Sequence, residues 1–297
     1  MATIANNFRT SKELADGYTK AGIKKANANK TTLFLLGIFA GMFVGFGAAC
    51  SMVASHAIAD AGLAKLAAGM VFPVGLMLIV LVGGELFTGD CLMILGVMHG
   101  KYSVLTMAKK LTIIFFANFL GALLVVCLVA FSGQQEISGG LLGAYAIKVA
   151  YGKLSLSVVN AFVSGIACNI IVCATVLMAY GATDVAGKIG AIFFPILLFV
   201  VGGFEHCVAN MYYIPAALLA KGNEGYLTLA MEVYGLDAAA LELLTLPRFL
   251  LYNLLPVTLG NIVGGTVFIG LPLFVLYADK RGKALTPAAQ ASKAHEQ

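Results

Sequence analysis

The chain has 297 residues, 60% of them hydrophobic and 11% charged, with no Trp. Soluble domains carry roughly 25% charged residues, so this balance excludes an ordinary water-soluble fold and points to a membrane. The formal net charge is +5, and Lys and Arg gather at residues 9–30, 101–110 and 280–283, with Lys188 as a lone fourth. Basic clusters beside apolar runs fit cytoplasmic loops rather than a nucleic-acid surface.

In chain order, residues 7–30 are polar and basic with Phe8, Leu14, Tyr18 and Ile23 scattered among them. This spacing predicts an amphipathic helix on the cytoplasmic membrane surface. No apolar core of a signal peptide is visible, so no cleaved leader is expected. Residues 32–54 form a first uncharged span, with Gly37, Gly41 and Gly45 on one stripe where a neighbouring helix can approach. A second apolar run, 66–84, stops at Gly84-Glu85-Leu86-Phe87-Thr88-Gly89-Asp90 and resumes over 91–98. Residues 111–131 are a third span, and 132–153 are mixed and expected outside the membrane. The fourth span is 154–182. The fifth, 189–220, is interrupted by Gly202-Gly203-Phe204-Glu205-His206-Cys207-Val208-Ala209-Asn210. A polar connection with a short helix at 221–248, a sixth span at 249–277 and a basic tail complete the chain.

The expectation is an all-α membrane protein of six transmembrane helices with spans two and five broken. It divides into an N-terminal segment 1–30, a six-span domain 31–279 with halves at about 31–131 and 154–279, and a tail 280–297. Six spans put both termini on one side, and the positive-inside rule makes that side cytoplasmic, with a plasma-membrane location expected. A helix can break at membrane depth only where protein or a water-filled cavity satisfies the freed backbone. Two polar breaks therefore read as pore lining. None of the six cysteines has CxxC spacing, and they are read as reduced packing residues with no metal or cofactor implied.

The halves share three words in the same order. Gly47-Ala48-Ala49-Cys50-Ser51 resembles Gly165-Ile166-Ala167-Cys168-Asn169. Phe72-Pro73 leads to Gly83-Gly84-Glu85 as Phe194-Pro195 leads to Gly202-Gly203-Phe204-Glu205. Asn118-Phe119-Leu120-Gly121 resembles Asn261-Ile262-Val263-Gly264. Three spans per half make the repeat inverted, and paired interruptions in inverted halves mark a transport path.

At these residues the chain resembles the formate/nitrite transporter family. The resemblance rests on Glu85-Leu86-Phe87-Thr88-Gly89, on the stretch from Gly203 to Met211, on the word from Cys168 to Cys173 and on that from Gly260 to Gly265. It runs from about Asn27 to Asp279 and implies an aquaporin-like protomer, a homopentamer, and one pore per protomer for small monovalent anions. Gly89-Asp90-Cys91 departs from the formate and nitrite types and is similar to the hydrosulfide channels of anaerobic clostridia. Hydrosulfide is accordingly the expected ion, with formate or nitrite, by channel or proton-linked symport, as the alternative.

The same resemblance implies roles for single residues. His206, with Thr88 from the opposite break, forms the central pore site, and an intramembrane ionisable residue is a functional candidate in any case. Lys153 attracts anions in a vestibule, with Lys148 as its competitor. Phe72, Leu76, Leu86, Phe87 and Phe199 form apolar constrictions that exclude hydrated ions. Glu85 and Glu205 are expected to serve as loop scaffold, since their charge would repel an anion, together with Asn169, Asn210 and Asn261; Asn261 could instead face the lumen. A membrane-embedded enzyme using His206 with Cys207 or Ser51 lacks a third orienting group. A cation-coupled transporter is disfavoured by the shortage of lumenal carboxylates. The expected partners are a small anion, lipid and further copies of the chain.

Overall fold

Hydrocarbon offers backbone groups no partner, so apolar runs of this length must satisfy their own hydrogen bonds by coiling. The computed structural model describes residues 8–277; the expected tail at 280–297 and residues 1–7 lie outside them. Helix α1 is Ser11–Asn27, followed by α2 at Lys30–Ser55, α3 at Ala61–Val82, the short α4 at Phe87–Met98 and α5 at Val104–Phe131. Then come α6 at Leu141–Leu154, α7 at Val158–Gly181, α8 at Val185–Gly202 and the short α9 at Cys207–Ala220. Helices α10 at Glu224–Tyr234 and α11 at Ala238–Glu242 lead to α12 at Leu246–Tyr277. Six of these, α2, α3, α5, α7, α8 and α12, are long and apolar enough to cross a membrane. Their outer faces expose large apolar side chains such as Phe131, Phe194 and Leu251, a belt suited to lipid.

Several helices begin earlier than their apolar runs, because the cap rather than hydropathy marks a helix start. Ser103 accepts from the Thr106 N–H at 3.1 Å and starts α5 well before the hydrocarbon-depth stretch. Ser157 caps α7 and starts it at Val158, later than the expected 154, because Leu154 ends α6. Residues 132–153, expected to be mixed and outside the membrane, contain most of α6. It buries Leu142, Ala146, Ile147 and Ala150 and packs on α9 and α10. Its two lysines masked that face in the sequence.

The first helix differs from the expected surface float. It buries small residues, Ala15, Gly17, Gly22 and Ala26, and packs on α4 and on the end of α12. Leu14 and Tyr18 add to a cluster with Leu92, Cys173 and Leu177. So α1 covers one end of the bundle and its Lys25 reaches the first break.

Spans pair by close backbone approach. A Cβ on Gly41 would lie 2.1 Å from the Asn118 carbonyl oxygen, and one on Gly121 would lie 2.2 Å from that of Ile38. In the second half a Cβ on Gly260 would lie 2.1 Å from the Phe162 oxygen, and one on Gly264 would lie 2.4 Å from that of Ile166. Gly121–Ile38 and Gly264–Ile166 are thus equivalent contacts. They set Gly37, next to Ile38, opposite Gly165, next to Ile166. The word match that paired Gly47 with Gly165 is therefore out of register by ten residues in span one; helix contact, not letter similarity, defines the repeat. A feature the sequence did not suggest is a pair of π-helical segments in α12, at Phe249–Leu254 and Gly264–Gly270. Such bulges commonly accompany functional sites.

Candidate pore and central site

Each break is tied by one asparagine. After α3, Gly83 takes φ 117° and the chain unwinds. Asn118 of α5 donates through Nδ2 to the Gly37 carbonyl at 2.8 Å and the Glu85 carbonyl at 2.9 Å, and its Oδ1 accepts from the Phe87 N–H at 3.0 Å. After α8, Gly203 takes φ 68°. Asn261 of α12 donates to the Gly165 carbonyl at 2.8 Å and the Glu205 carbonyl at 3.0 Å, and accepts from the Cys207 N–H at 2.9 Å. The two triads are copies of one another. With its amide fully engaged, Asn261 does not face the lumen. Asn118 escaped the sequence reading as a site residue, although its word match with Asn261 contained the signal.

Removing such an amide leaves three buried backbone groups without partners, each worth about 1–3 kcal/mol. Asn261→Ala is therefore expected to lower the thermal unfolding midpoint of detergent-solubilised protein by several degrees or to abolish folding. A wild-type midpoint would show that the triad does not hold the break.

The half-helices α4 and α9 start where the breaks end, and there Thr88 Oγ1 meets His206 Nε2 at 2.9 Å. Both residues are buried. His206 caps α9, its Nδ1 accepting from the Ala209 N–H at 3.0 Å. A neutral ring so engaged carries its hydrogen on Nε2 and donates it to Thr88. The Thr88 hydroxyl hydrogen then has no acceptor among the described residues. Asn169 holds the Thr88 carbonyl at 3.1 Å and the Asn261 carbonyl at 2.5 Å, and the Cys173 thiol adds a weak bond to Thr88 at 3.4 Å. No hydrogen bond joins His206 to Ser51 or Cys207 among the described residues.

A cavity opens on each side of this contact. One, of about 150 Å³, has His206 at its floor and Phe72, Phe199, Lys153 and Tyr213 in its wall. Phe72 and Phe199 meet edge to face with ring centroids 5.7 Å apart. The other, of about 330 Å³, lies under α1 and is lined by Leu76, Leu86, Glu85 and Asp90 with Lys25 and Tyr18. Four of the five expected constriction residues thus line one cavity or the other. Phe87 does not: its ring packs on Phe115 at 5.2 Å in the apolar groove between α5 and α12. Successive residues of the forming helix point in different directions, so Leu86 and Phe87 cannot both line the path.

Each cavity holds a lysine paired to the glutamate of the nearer break. Lys153 Nζ lies 2.9 Å from Glu205 Oε1, and Glu205 Oε2 accepts from Asn210 at 2.6 Å and Asn253 at 3.3 Å. Lys148 stands apart, exposed, its amine over the rings of Tyr145 and Tyr234 at 5.3 and 5.0 Å. On the other side Lys25 bridges Glu85, at 2.5 Å, and Asp90. Burial alone would lower the Lys25 pKa, but Asp90 and Glu85 outweigh it and hold the amine above the ordinary lysine range.

The glutamates bond through both backbone and side chain. Their backbones are what the asparagines clamp, while their carboxylates stand beside the cavities, neutralised by lysine. Lys25 and Asn253 were missed, one because it lies in a polar segment outside the spans, the other because the π turn that aims it inward leaves no mark in hydropathy. Lys65 was missed too. It lines the smaller cavity, its Nζ 3.4 Å from where a Cβ on Gly203 would be, and no ion pair engages it among the described residues.

Comparison with known proteins agrees with this architecture. A sequence model of the family described as "Formate/nitrite transporter" matches residues 12–275. The formate channel FocA of Haemophilus influenzae is 35% identical over 261 residues, covering 87% of this chain and 91% of that protein. A probable formate transporter of Methanothermobacter thermautotrophicus is 32% identical over 292 residues, 92% of this chain and 99% of its own. Among solved structures, a pentameric formate channel with formate bound superposes with a TM-score of 0.75 at 34% identity, covering 86% of this chain and 99% of that one. An ion channel of the same family gives 0.72 at 28% identity, covering 90% and 98%. With a family model spanning both breaks and all six spans, this multi-pass membrane chain belongs to the formate/nitrite transporter family.

Proposed function

We propose that each protomer passes a small monovalent anion between the two cavities, through the point where Thr88 and His206 meet. That contact carries the proposal: two polar donors, at the starts of two half-helices, where the breaks meet. Helix N-termini carry partial positive charge and unpaired N–H groups, which favour an anion. Phe72 with Phe199 on one side, and Leu76 with Leu86 on the other, strip water from the ion. An anion's hydration is replaced at the centre by the His206 Nε2–H and the Thr88 hydroxyl.

Formate is the first reading for the ion, because the relatives with named cargo carry formate. Hydrosulfide is the second, favoured by Gly89-Asp90-Cys91, where this chain departs from the formate pattern. Proteoliposome flux of formate, hydrosulfide, nitrite and chloride decides between them. Formate outrunning hydrosulfide supports the first reading, the reverse supports the second, and no flux above empty liposomes removes both.

Similarity to the pentameric structure supports a homopentamer, which native mass spectrometry checks. The Lys25 end of the bundle also holds Lys110, whose amine donates to the Ala28 carbonyl at 2.7 Å. Placing that basic end in the cytoplasm of a bacterial cell follows the positive-inside rule.

Because Glu205 neutralises Lys153, we assign long-range anion attraction on that side to Lys65. Lys65→Glu is expected to lower flux several-fold at low ionic strength. The difference should fade at high salt, since screening lengths shrink from about 10 Å at 0.1 M to about 3 Å at 1 M. A salt-independent loss would point to structural damage instead.

A further inference from the structure

The two breaks run in parallel five residues past each glutamate, and there they differ. Glu205 is followed by Asn210, whose amide donates to the Glu205 carboxylate at 2.6 Å. Glu85 is followed by Asp90 at the equivalent place. An amide always has hydrogens to give, but an aspartate donates only when protonated. Asp90 is 3% exposed. Its Oδ1 takes Lys25, while Oδ2 has no hydrogen-bond partner among the described residues. Both carboxylates contact the same amine, so they lie no more than two hydrogen-bond lengths apart.

Charge counting gives the same answer. The Lys153–Glu205–Asn210 cluster is neutral. The Lys25–Glu85–Asp90 cluster is neutral only with one proton added, and otherwise leaves a buried net negative charge beside an anion's path. The other titratable groups near enough to feel Asp90 are Tyr18 of α1, Tyr102 of the α4–α5 loop, Cys91 of α4 and Cys173 of α7. None of them supplies a second cation.

We propose that Asp90 holds a proton beside Glu85 and Lys25, a proton-binding site in the cavity under α1 whose occupancy sets the charge that a passing anion meets. With the proton bound, Asp90 donates to Glu85 as Asn210 donates to Glu205, and the cavity is neutral. As pH rises the proton leaves, the cavity becomes negative, and anion passage slows. The flux consequence rests on the anion-path reading above; the proton site itself does not.

Two measurements on the full reconstituted chain keep these apart. Infrared difference spectra across a pH titration are expected to show a protonated-carboxyl band that is lost in Asp90→Asn and in Glu85→Gln, since either change leaves a single carboxylate facing Lys25. The ratio of Asp90→Asn flux to wild-type flux is expected to rise several-fold from acid to alkaline pH, for formate and for hydrosulfide alike. Taking the ratio cancels the titration of the permeant acid. Absence of a titrating band in the wild type overturns the site. So does a band that survives both substitutions, or a flux dependence on sodium at fixed pH with no band, which would make the ligand a metal cation. A pH-independent ratio with the band present overturns the link to passage alone.

Discussion

His206→Ala is expected to reduce formate flux in proteoliposomes by roughly tenfold to a hundredfold. A hydrogen bond to a charged group contributes about 1.5–3 kcal/mol, and each 1.4 kcal/mol is a factor of ten. Alanine removes the Nε2–H that faces Thr88 at 2.9 Å and also the acceptor that caps α9 at Ala209. It leaves a wider opening as well, so the residual flux should discriminate poorly and chloride should gain relative to formate. His206→Gln, whose amide can place a donor near the same point, is expected to recover part of the rate. Unchanged flux and selectivity in His206→Ala would remove the central site from the mechanism. A loss confined to expression level would be seen in the amount reconstituted and would not count.

Gly41→Ala is expected to be among the most damaging single changes, although it adds one methyl group. In an ordinary helix position this change stabilises by about 1 kcal/mol. Here the new carbon would lie 2.1 Å from the Asn118 carbonyl oxygen, a backbone atom that cannot rotate aside. Helices α2 and α5 must separate, and overpacking of this kind costs about 1–3 kcal/mol or more. Separation also drags Asn118 away from Gly37, Glu85 and Phe87, so the break loses its tie in the same event. Gly260→Ala, facing the Phe162 oxygen at 2.1 Å, should behave alike in the other half. Gly190→Ala is the control, because nothing lies within 4 Å of a Cβ there. Size-exclusion profiles and thermal unfolding in detergent read the outcome. A wild-type melting point for Gly41→Ala would sink the close-approach account.

The six spans and the two breaks were legible because hydropathy reports depth and a polar interruption reports a cavity, whereas the pairing of Thr88 with His206 came from the family resemblance. What was illegible follows from the same fact. Helix α6 and Lys25 lie in mixed segments, where period and hydropathy conflict. The π turn that aims Asn253 at Glu205 changes no residue type, so no pattern announces it. The register of the repeat was misread in span one because its letters repeat small residues at many offsets, while backbone contact selects one. Glu85 and Glu205 were assigned by asking what a bare carboxylate would do. Each has a lysine from a segment distant in sequence, a partner that no local pattern announces.

The asparagine triads carry a consequence for how the path can open. Asn118 and Asn261 each spend one hydrogen and the oxygen on their break and the other hydrogen on a neighbouring span, so a break can shift only if two bonds to it fail together or the asparagine also leaves Gly37 or Gly165. The moving part of the valve is then a ring or a methyl group rather than a helix. Side-chain turns take picoseconds to nanoseconds where exposed and longer when packed, whereas helix displacements take microseconds to milliseconds. Hydrogen exchange gives the measure of this: the amides of Phe87 and Cys207 should exchange as slowly as those in the middle of α5. Fast exchange there would mean that the frame itself breathes.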